Sequence, residues 1–332
     1  MPAQEDLNPV PKQKGTIMKK IALLIAASLA LVGCTQSPDT VRLAAHDSFV
    51  ISDELIESFE VQSGFKLEII RLGDTGSLTN QLALTKNAPI ADAVFGIDNT
   101  FKPLADEAGL AAEAWTAIDY SDVCFNYDID YFEQAGIKPP GSWRDLTRPE
   151  YEGLTVVTNP RLSSPGLAFL ATTFTGFESD AEVFEYWRNL RDNRVKIAGS
   201  WEDAYFVDFT RYGGERPIVL SYASSPSAEV VDGDAKTAAL LSECFRQTEF
   251  ATVLANARNP EGANELVAFL TSSEFQASVP EAMYVYPIDP SVAVPMEWSK
   301  FAKPATSVIG EELDFAANRE RWLKDWSDVF DN

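Results

Sequence analysis

The sequence has a single histidine, His46, and only three cysteines in 332 residues. A serine-protease-type triad needs a histidine beside its nucleophile, and a His/Cys metal site needs several such ligands. No His-Glu-x-x-His motif, Gly-x-Ser-x-Gly motif or phosphate-binding P-loop occurs in the chain. These absences leave the common hydrolase, metalloprotease and nucleotide-hydrolase classes without support. We therefore expect no catalytic residues, no bound metal and no cofactor.

Basic residues are scarce as well. The chain has 27 Lys and Arg against 50 Asp and Glu, which gives a formal net charge of −23. Such a charge disfavours nucleic acid and anionic lipid surfaces as partners, because both attract positively charged proteins. The simplest explanation of the negative charge is a solvated acidic surface. The functional explanation is that the protein binds a cationic ligand or docks on a cationic surface.

No hydrophobic run is long enough to span a membrane, which takes about 20 apolar residues in a helix. The apolar run Ile21–Val32 has 12 residues and follows a basic start. It leads into Leu-Val-Gly-Cys, the pattern of a bacterial lipobox, with its cysteine at Cys34. The pattern predicts that residues 1–33 are a signal peptide and that Cys34 is acylated. The protein would then sit at the outer face of the cytoplasmic membrane or in the periplasm, held by its lipid alone.

The same interpretation of the N-terminus predicts a later start codon and a short linker. Met18 begins the basic region with which a signal peptide usually starts. We therefore expect Met18 to be the true start, with residues 1–17 the result of a start codon assigned too early. Residues 34–40 are then a short lipidated linker ahead of the first predicted strand.

Cys124 and Cys244 are the remaining cysteines. An even number of cysteines in an exported protein favours a disulfide over two free thiols. Both residues lie in strand-like runs, so a bridge would join two strands that are distant in sequence. We predict this disulfide.

Two series of alternating strands and helices predict an α/β fold with mainly parallel sheets. The first covers residues 41–97 and the second covers residues 154–222. We expect two lobes that are joined by crossing strands near 119–127 and 244–254, with a ligand in the cleft between them. Lobe 1 would comprise residues 41–120 with 250–332, and lobe 2 residues 121–249. The predicted helices are Ser52–Ser63, Ser77–Ala88, Gly166–Phe174, Ala181–Asp192, Trp201–Tyr212, Pro260–Leu270, Ser273–Val279 and Glu312–Val329.

The stretch from 159 to 226 carries the strongest binding pattern. Ser163, Ser164 and Gly166 follow a predicted strand and open a helix, and a helix N-terminus at that place favours an anionic group. Trp201, Tyr205 and Tyr222 follow the next strands. Aromatic faces beside hydroxyls and free amides suit a flat, polar small molecule.

Two carboxylates, Asp47 and Asp98, end different strands of the first series and should share one rim of the sheet. They could serve as an acid/base pair, as counter-charges for a cationic ligand, or as helix caps. Asp74 begins an Asp-Thr-Gly triplet that resembles the motif of aspartic proteases. Those enzymes need two such triplets, and only one occurs here, so Thr75-Gly76-Ser77 predicts a turn and N-cap at the start of a helix.

An ordered set of short motifs resembles the thiamine-binding solute-binding proteins of ABC importers, over residues 41–328. In this family, ligand is delivered to a membrane permease that a cytoplasmic ATPase drives. The motifs are Asp47-Ser48-Phe49, Gly96-Ile97-Asp98-Asn99, Asp119-Tyr120, Ser163-Ser164-Pro165-Gly166, Trp201-x-x-Ala204-Tyr205, Leu220-Ser221-Tyr222-x-x-Ser225-Pro226, Tyr286-Pro287 and Lys303-Pro304-Ala305-Thr306.

The resemblance implies a type II, two-lobed periplasmic-binding-protein fold that closes on thiamine or its phosphate esters. It would place Asp47 and Asp98 near the aminopyrimidine and thiazolium rings. Trp201 and Tyr222 would flank the ligand, and the serine-rich turn at 163–166 would hold a phosphate. The other candidate ligand contacts are Tyr120, Tyr205, Ser225, Tyr284 and Tyr286.

Two alternatives remain open from the sequence. The same fold binds other ligands, such as ferric iron, a phosphonate or a polyamine. Adjacent tyrosines of the kind that iron needs occur only at Tyr284 and Tyr286. A thiaminase-like hydrolase would need a free cysteine nucleophile, which the predicted disulfide removes.

Overall fold

The computed structural model describes residues 39–309 and 313–330. The predicted signal peptide and Cys34 lie outside these residues. From Asp39 onward the chain forms one compact unit. Within the described part, no helix combines the length and apolar character that a membrane crossing requires.

Thirteen strands occur in the described residues. Eight form the path β2-β1-β3-β11-β4-β7-β5-β6, β10 and β12 add to β4, and β13 adds to β11, while β8 and β9 form a separate two-stranded sheet. The strands are β1 (Thr40–Ala45), β2 (Lys66–Arg71), β3 (Ala93–Asp98), β4 (Thr116–Asp128), β5 (Thr155–Thr158), β6 (Lys196–Ala198), β7 (Ile218–Tyr222), β8 (Val230–Val231), β9 (Asp234–Ala235), β10 (Thr237–Ala239), β11 (Cys244–Val253), β12 (Tyr286–Pro287) and β13 (Val308–Ile309).

The strand directions divide the sheet into two parallel parts. β1 runs parallel to β2 and β3, and β5 runs parallel to β6 and β7. Between them lie β11 and β4, which are antiparallel to each other and to their outer neighbours. We call the two parts the β1–β3 half and the β5–β7 half. The long strands β4 and β11 connect the halves, as the sequence predicted for crossing strands.

The helices lie between successive strands, except for the last one, which follows β13. They are α1 (Asp53–Ser63), α2 (Thr75–Thr85), α3 (Lys102–Ala108), α4 (Ile129–Ala135), α5 (Ser164–Gly176), α6 (Asp180–Asp192), α7 (Pro260–Leu270), α8 (Ser273–Met283), α9 (Trp298–Phe301) and α10 (Phe315–Phe330). Local sequence sets several of their ends. Ser52 caps α1 by accepting a hydrogen bond from the amide of Leu55, and Gly64 ends it in the left-handed region at φ 77°. The helix predicted from Ser77 begins two residues earlier, at Thr75, so Asp74 rather than the predicted Thr75-Gly76-Ser77 turn caps α2.

Side chains of the β1–β3 half alternate between two cores because a strand points successive residues to opposite faces. Leu43 and Phe95 face a core that α1, α7 and α8 cover. Ala44 and Val94 face the other core, which includes residues of α2 and α3. The sheet of this half is therefore covered on both faces, as a parallel sheet requires.

The predicted disulfide is present between Cys124 and Cys244. The two residues are adjacent to the paired residues Val123 and Phe245 in the β4–β11 ladder, and their Cα atoms lie 5.0 Å apart. Both cysteines are buried. The bridge thus links the two connecting strands.

Two elements differ from the sequence expectation. The segment predicted as the helix Trp201–Tyr212 is an irregular π-helical turn, Asp203–Asp208, followed by a short 3-10 turn, Thr210–Tyr212. The terminal helix α10 packs on α6, with the Trp326 ring 6.1 Å from that of Trp187. Since α6 lies in the stretch assigned to lobe 2, α10 contacts both proposed lobes, and the lobe boundaries stay a prediction.

Candidate functional site

A cavity of about 240 Å³ lies where the carboxyl ends of the parallel strands of both halves meet. Loops at this edge of an open α/β sheet are the usual place for a ligand. The β1–β3 half, the β5–β7 half and β11 all contribute residues to its wall. The lining residues are His46, Ser48, Asp74, Thr75, Ser164, Trp201, Tyr205, Phe206, Tyr212, Tyr222, Ser225, Ala228, Gln247, Glu249, Met283, Tyr284 and Val285.

Aromatic rings form one wall of the cavity. Trp201 stacks on Tyr205, with ring centroids 4.9 Å apart and planes 20° apart, and Tyr222 lies 5.9 Å from Trp201. The indole nitrogen of Trp201 donates to the Ser221 hydroxyl over 3.0 Å, which fixes the ring. The π-helical turn after Trp201 brings these side chains to one place, and such turns are frequent at functional sites. All three rings predicted for a stacking site therefore line the cavity.

A buried carboxylate anchors tyrosines of the aromatic wall. The hydroxyls of Tyr205 and Tyr212 both donate to Oε1 of Glu229, over 3.1 and 2.8 Å. Burial raises the pKa of Tyr205 well above its usual range, so its hydroxyl stays protonated as a donor. Ser225 and Tyr284, both predicted contacts, also line the cavity.

The serine-rich turn contributes less surface than expected. Ser164 lines the cavity, whereas Ser163 is fully buried just behind it. The Ser163 hydroxyl lies beside the carboxylate of Asp74 and the Ser164 hydroxyl beside that of Asp98, where each favours the ionised acid. Gly166 is not part of the lining. A Cβ at Gly166 would lie 2.3 Å from the carbonyl oxygen of Thr158, so the glycine allows α5 to pack closely on β5.

Two hydrogen bonds cross between the halves at the mouth of the cavity. Asp74 accepts from the amide of Trp201 over 3.0 Å, in addition to capping α2. Ser48 donates to Glu202 over 3.2 Å. The halves are thus in contact around the cavity, which is the arrangement of a closed cleft.

The two predicted carboxylates lie outside the cavity lining. Asp47 is exposed and accepts a hydrogen bond from the amide of Gly73 over 3.0 Å. Asp98 is fully buried, and its Oδ1 accepts from the amides of Thr100 and Phe101 in a cap-like turn. Burial raises the pKa of Asp98 to about 6. Asp98 therefore makes the cap-like contact that the sequence left open, whereas Asp47 accepts from a residue 26 positions along the chain and caps no helix.

Tyr120 and Tyr286 also lie away from the cavity. Their rings stack on each other with centroids 5.2 Å apart, and Tyr286 donates its hydroxyl to the carbonyl of Ala302 over 2.5 Å. Trp298 packs edge-on against Tyr286. These tyrosines form a small core between β4, β12 and α9, because β12 pairs with β4 at this position.

Sequence reasoning missed the polar floor of the cavity. His46, Gln247 and Glu249 line it, and Nε2 of His46 lies 3.2 Å from Oε1 of Glu249. That is an ion-pair distance, although the ring is not oriented for a standard hydrogen bond. Burial opposes the charge on His46, but the carboxylates around it, Glu249 foremost with Asp74 and Asp47, favour that charge, and the net effect raises the pKa of the imidazole. Only the position of His46 after β1 pointed to it in the sequence.

Gly96 makes room for the His46 ring. Its φ is +91°, and a Cβ there would lie 2.0 Å from Cδ2 of His46. We expect Gly96→Ala to lower the free energy of unfolding by at least about 3 kcal/mol, from backbone strain and overpacking together. Gly109→Ala is the matched control because Gly109 has φ +65° with open space around it. It should lose only about 1–2 kcal/mol in urea unfolding. Equal losses for the two variants would show that His46 is not held by Gly96.

Two parallel α/β halves, two antiparallel connecting strands and a cavity between facing loops define a two-lobed, type II periplasmic-binding-protein fold. The chain belongs to the family described as bacterial extracellular solute-binding proteins, whose model matches residues 93–306. It is a solute-binding protein.

Two curated proteins with similar sequences are both thiamine-binding periplasmic proteins. The chain is 30% identical to the thiamine-binding periplasmic protein of Escherichia coli, over 81% of this chain and 86% of that one. It is 27% identical to the thiamine-binding periplasmic protein of Brucella suis, over 93% and 98% of the two chains.

Solved structures share the fold. A periplasmic thiamin-binding protein superposes with a TM-score of 0.77 at 24% identity, covering 87% of this chain and 96% of that one. An iron-bound protein from Pseudomonas aeruginosa superposes with a TM-score of 0.68 at 16% identity, over 87% and 99%. The fold class predicted from the sequence is confirmed.

Proposed function

We propose that this solute-binding protein captures thiamine or a thiamine phosphate ester in the cavity and delivers it to the permease of an ABC importer. The observation that carries the proposal is the similarity to thiamine-binding relatives over most of both chains. The aromatic wall supports it independently. Thiamine has two flat heterocycles, one of them a permanent cation, and such rings are attracted to aromatic faces.

The polar lining fits the rest of such a ligand. Ser164 lines the cavity at the N-terminus of α5, where a hydroxyethyl or phosphate group would find donor groups. Ser225 lies across the cavity near the aromatic wall. No step of this function forms or breaks a covalent bond. Binding and release follow from the two halves opening and closing about β4 and β11, a hinge motion.

The proposal includes the partners and location expected from the sequence. Acylation at Cys34 would tether the protein outside the cytoplasmic membrane, next to the permease, and the ATPase would act from the other side. A chain with a net charge of −23 would meet basic loops of the permease favourably.

Calorimetric titration of residues 35–332 with thiamine, thiamine monophosphate and thiamine diphosphate tests the ligand. We expect single-site binding with a submicromolar Kd for at least one of the three, and the tightest identifies the transported form. The same additions should raise the melting temperature, because a ligand that binds only the folded state stabilises it.

Putrescine serves as the control ligand, because it is a small cation without an aromatic ring. Its binding should be at least a hundredfold weaker. Absence of heat and of thermal stabilisation with all three thiamine forms would overturn the proposed ligand, while the solute-binding fold would stand.

A further inference from the structure

A row of ionisable side chains crosses the sheet beneath the cavity. Glu249 on β11 pairs with Asp98 on β3 and with Asp119 on β4, so three carboxylates stand side by side on neighbouring strands. His46 approaches from the end of β1 and completes the row. Glu249 is 7% exposed, His46 is 8% exposed, and the two aspartates are fully buried. So many acids in one buried row need protons or cations to balance them.

Asp119 holds one of these protons. Neither of its carboxylate oxygens receives a hydrogen bond from a donor group among the described residues, so an ionised Asp119 would be a buried charge without a donor. Burial, and then the negative charge of Glu249, raise the pKa of Asp119 well above its usual range. A protonated Asp119 can donate to Glu249. Burial opposes the charge on Glu249, but His46 and Asp119 together lower its pKa. Glu249 is thus the ionised member of the pair.

The cavity presents Glu249 to a ligand together with other polar atoms. Gln247, only 3% exposed, also lines the cavity, and its Oε1 accepts no hydrogen bond among the described residues. The buried hydroxyl of Ser164 lines the same cavity, beside the carboxylate of Asp98. No Lys or Arg is among the described residues of the lining, so the only cation that faces Glu249 from the wall is the imidazolium of His46.

We propose that Glu249 selects a positively charged ligand, and that the charge of the bound ligand replaces the charge of the proton on His46. This proton is released to the solvent when the ligand binds. The proposal rests on the proposed function, since it requires a cationic ring in the cavity. A cation near Glu249 weakens the attraction that holds the His46 proton and repels the imidazolium directly. His46 then becomes a neutral imidazole.

The remaining ionisable neighbours act in the same direction. Asp47 and Asp74 lie close enough to favour the proton on His46 in the empty protein. Burial raises the pKa of Asp74, and a cation would favour its ionised form. Asp98 shares Glu249 as a neighbour, and a cation would favour its ionised form. Tyr222 faces Glu249 from β7, and burial keeps its hydroxyl protonated throughout. Binding of a cation therefore releases protons and never takes them up.

The raised pKa of His46 gives the sign of the pH dependence. Below that pKa the empty protein carries the proton, and a cationic ligand must expel it, so affinity is reduced. As pH rises through the pKa the penalty disappears. Affinity for thiamine should therefore increase as the pH rises above 6.5, the ordinary pKa of histidine, by up to about tenfold per pH unit while one proton is released.

The test is calorimetric titration of residues 35–332 with thiamine at pH 6.5, in two buffers with different ionisation enthalpies. The dependence of the measured heat on the buffer gives the number of protons released. We expect a net release of about half to one proton in the wild type, and a clearly smaller release in His46→Asn. Binding with no proton release, or with proton uptake, would overturn the inference and leave the proposed function intact. Absence of binding in both buffers would overturn the proposed function and this inference with it.

A pair of variants tests the selecting carboxylate. Glu249→Gln keeps the shape of the side chain and removes its charge, and we expect at least a tenfold loss of thiamine affinity. Glu57→Gln makes the same charge change at an exposed position on α1 and should leave the affinity unchanged. Circular dichroism and thermal melting confirm that both variants are folded. Equal affinity in the two folded variants would contradict the role of Glu249.

Discussion

Replacing Trp201 with alanine is expected to lower the affinity for thiamine at least tenfold, which corresponds to about 1.4 kcal/mol or more. The indole stacks on Tyr205 and is fixed by its hydrogen bond to Ser221, so it presents an ordered ring at the cavity. Its removal takes away stacking area and a π face for the cation, and also frees the ring of Tyr205. Calorimetry on residues 35–332 measures the change.

Two variants show whether the ring itself is responsible. Trp201→Phe retains an aromatic face but loses the bond to Ser221, so an intermediate loss is expected. Trp115→Ala removes an indole that lies outside the cavity lining, where it donates to Asp106 over 2.7 Å, and it should bind as the wild type does. If Trp201→Ala retained full affinity, the aromatic wall would have to be excluded from the binding site.

The sequence was most informative where function depends on local order along the chain. Ser163 and Ser164 follow a short β-branched strand and precede a proline, and this pattern alone predicts a helix N-terminus at a sheet edge. The structure places α5 there, with Ser164 at the cavity. Tyr222 is the last residue of β7, and Trp201 lies shortly after the end of β6, so their positions at strand ends could be predicted. Strand-end residues of parallel sheets meet because the strands run in one direction.

The floor of the cavity could not be predicted in this way. Glu249 lies in the middle of a strand, and its position beside Asp98 and Asp119 follows from which strands pair and in what register. Alternating hydrophobicity indicates that a segment is a strand but does not identify its neighbours. The antiparallel insertion of β11 between β3 and β4 is a long-range event, so only the folded chain reveals the row of carboxylates.

Side-chain direction explains the other differences. Asp98 ends β3 as expected, but its carboxylate turns back to the amides of residues 100 and 101 because a buried acid takes the nearest free donors. Tyr286 lies close in sequence to Tyr284, yet β12 pairs with β4 and turns Tyr286 into a core. Tyr284 ends α8 in the left-handed region and stays 39% exposed at the cavity. The sequence assigned both tyrosines to the ligand site because they are two positions apart, whereas only Tyr284 lines the cavity.

Removing the disulfide is expected to cost several kcal/mol of stability with little loss of affinity. The double variant Cys124→Ala, Cys244→Ala opens a loop of 120 residues, and the chain-entropy model assigns about 4–5 kcal/mol to such a bridge. Urea unfolding of residues 35–332, with and without a reducing agent, measures the effect. The reduced wild type should resemble the double variant, and reductant should not change the variant further.

Affinity should be retained because the bridge contributes no atom to the cavity lining and its removal leaves the β4–β11 hydrogen bonds in place. At a urea concentration well below the unfolding transition, the double variant should bind thiamine within about threefold of the wild type, since an alanine pair changes only the cross-link between two strands already paired. A loss of stability below about 1 kcal/mol would show that the unfolded chain gains little freedom when the bridge opens. A large loss of affinity in the folded variant would instead show that the cross-link of β4 to β11 sets the relative position of the two halves in the closed cleft.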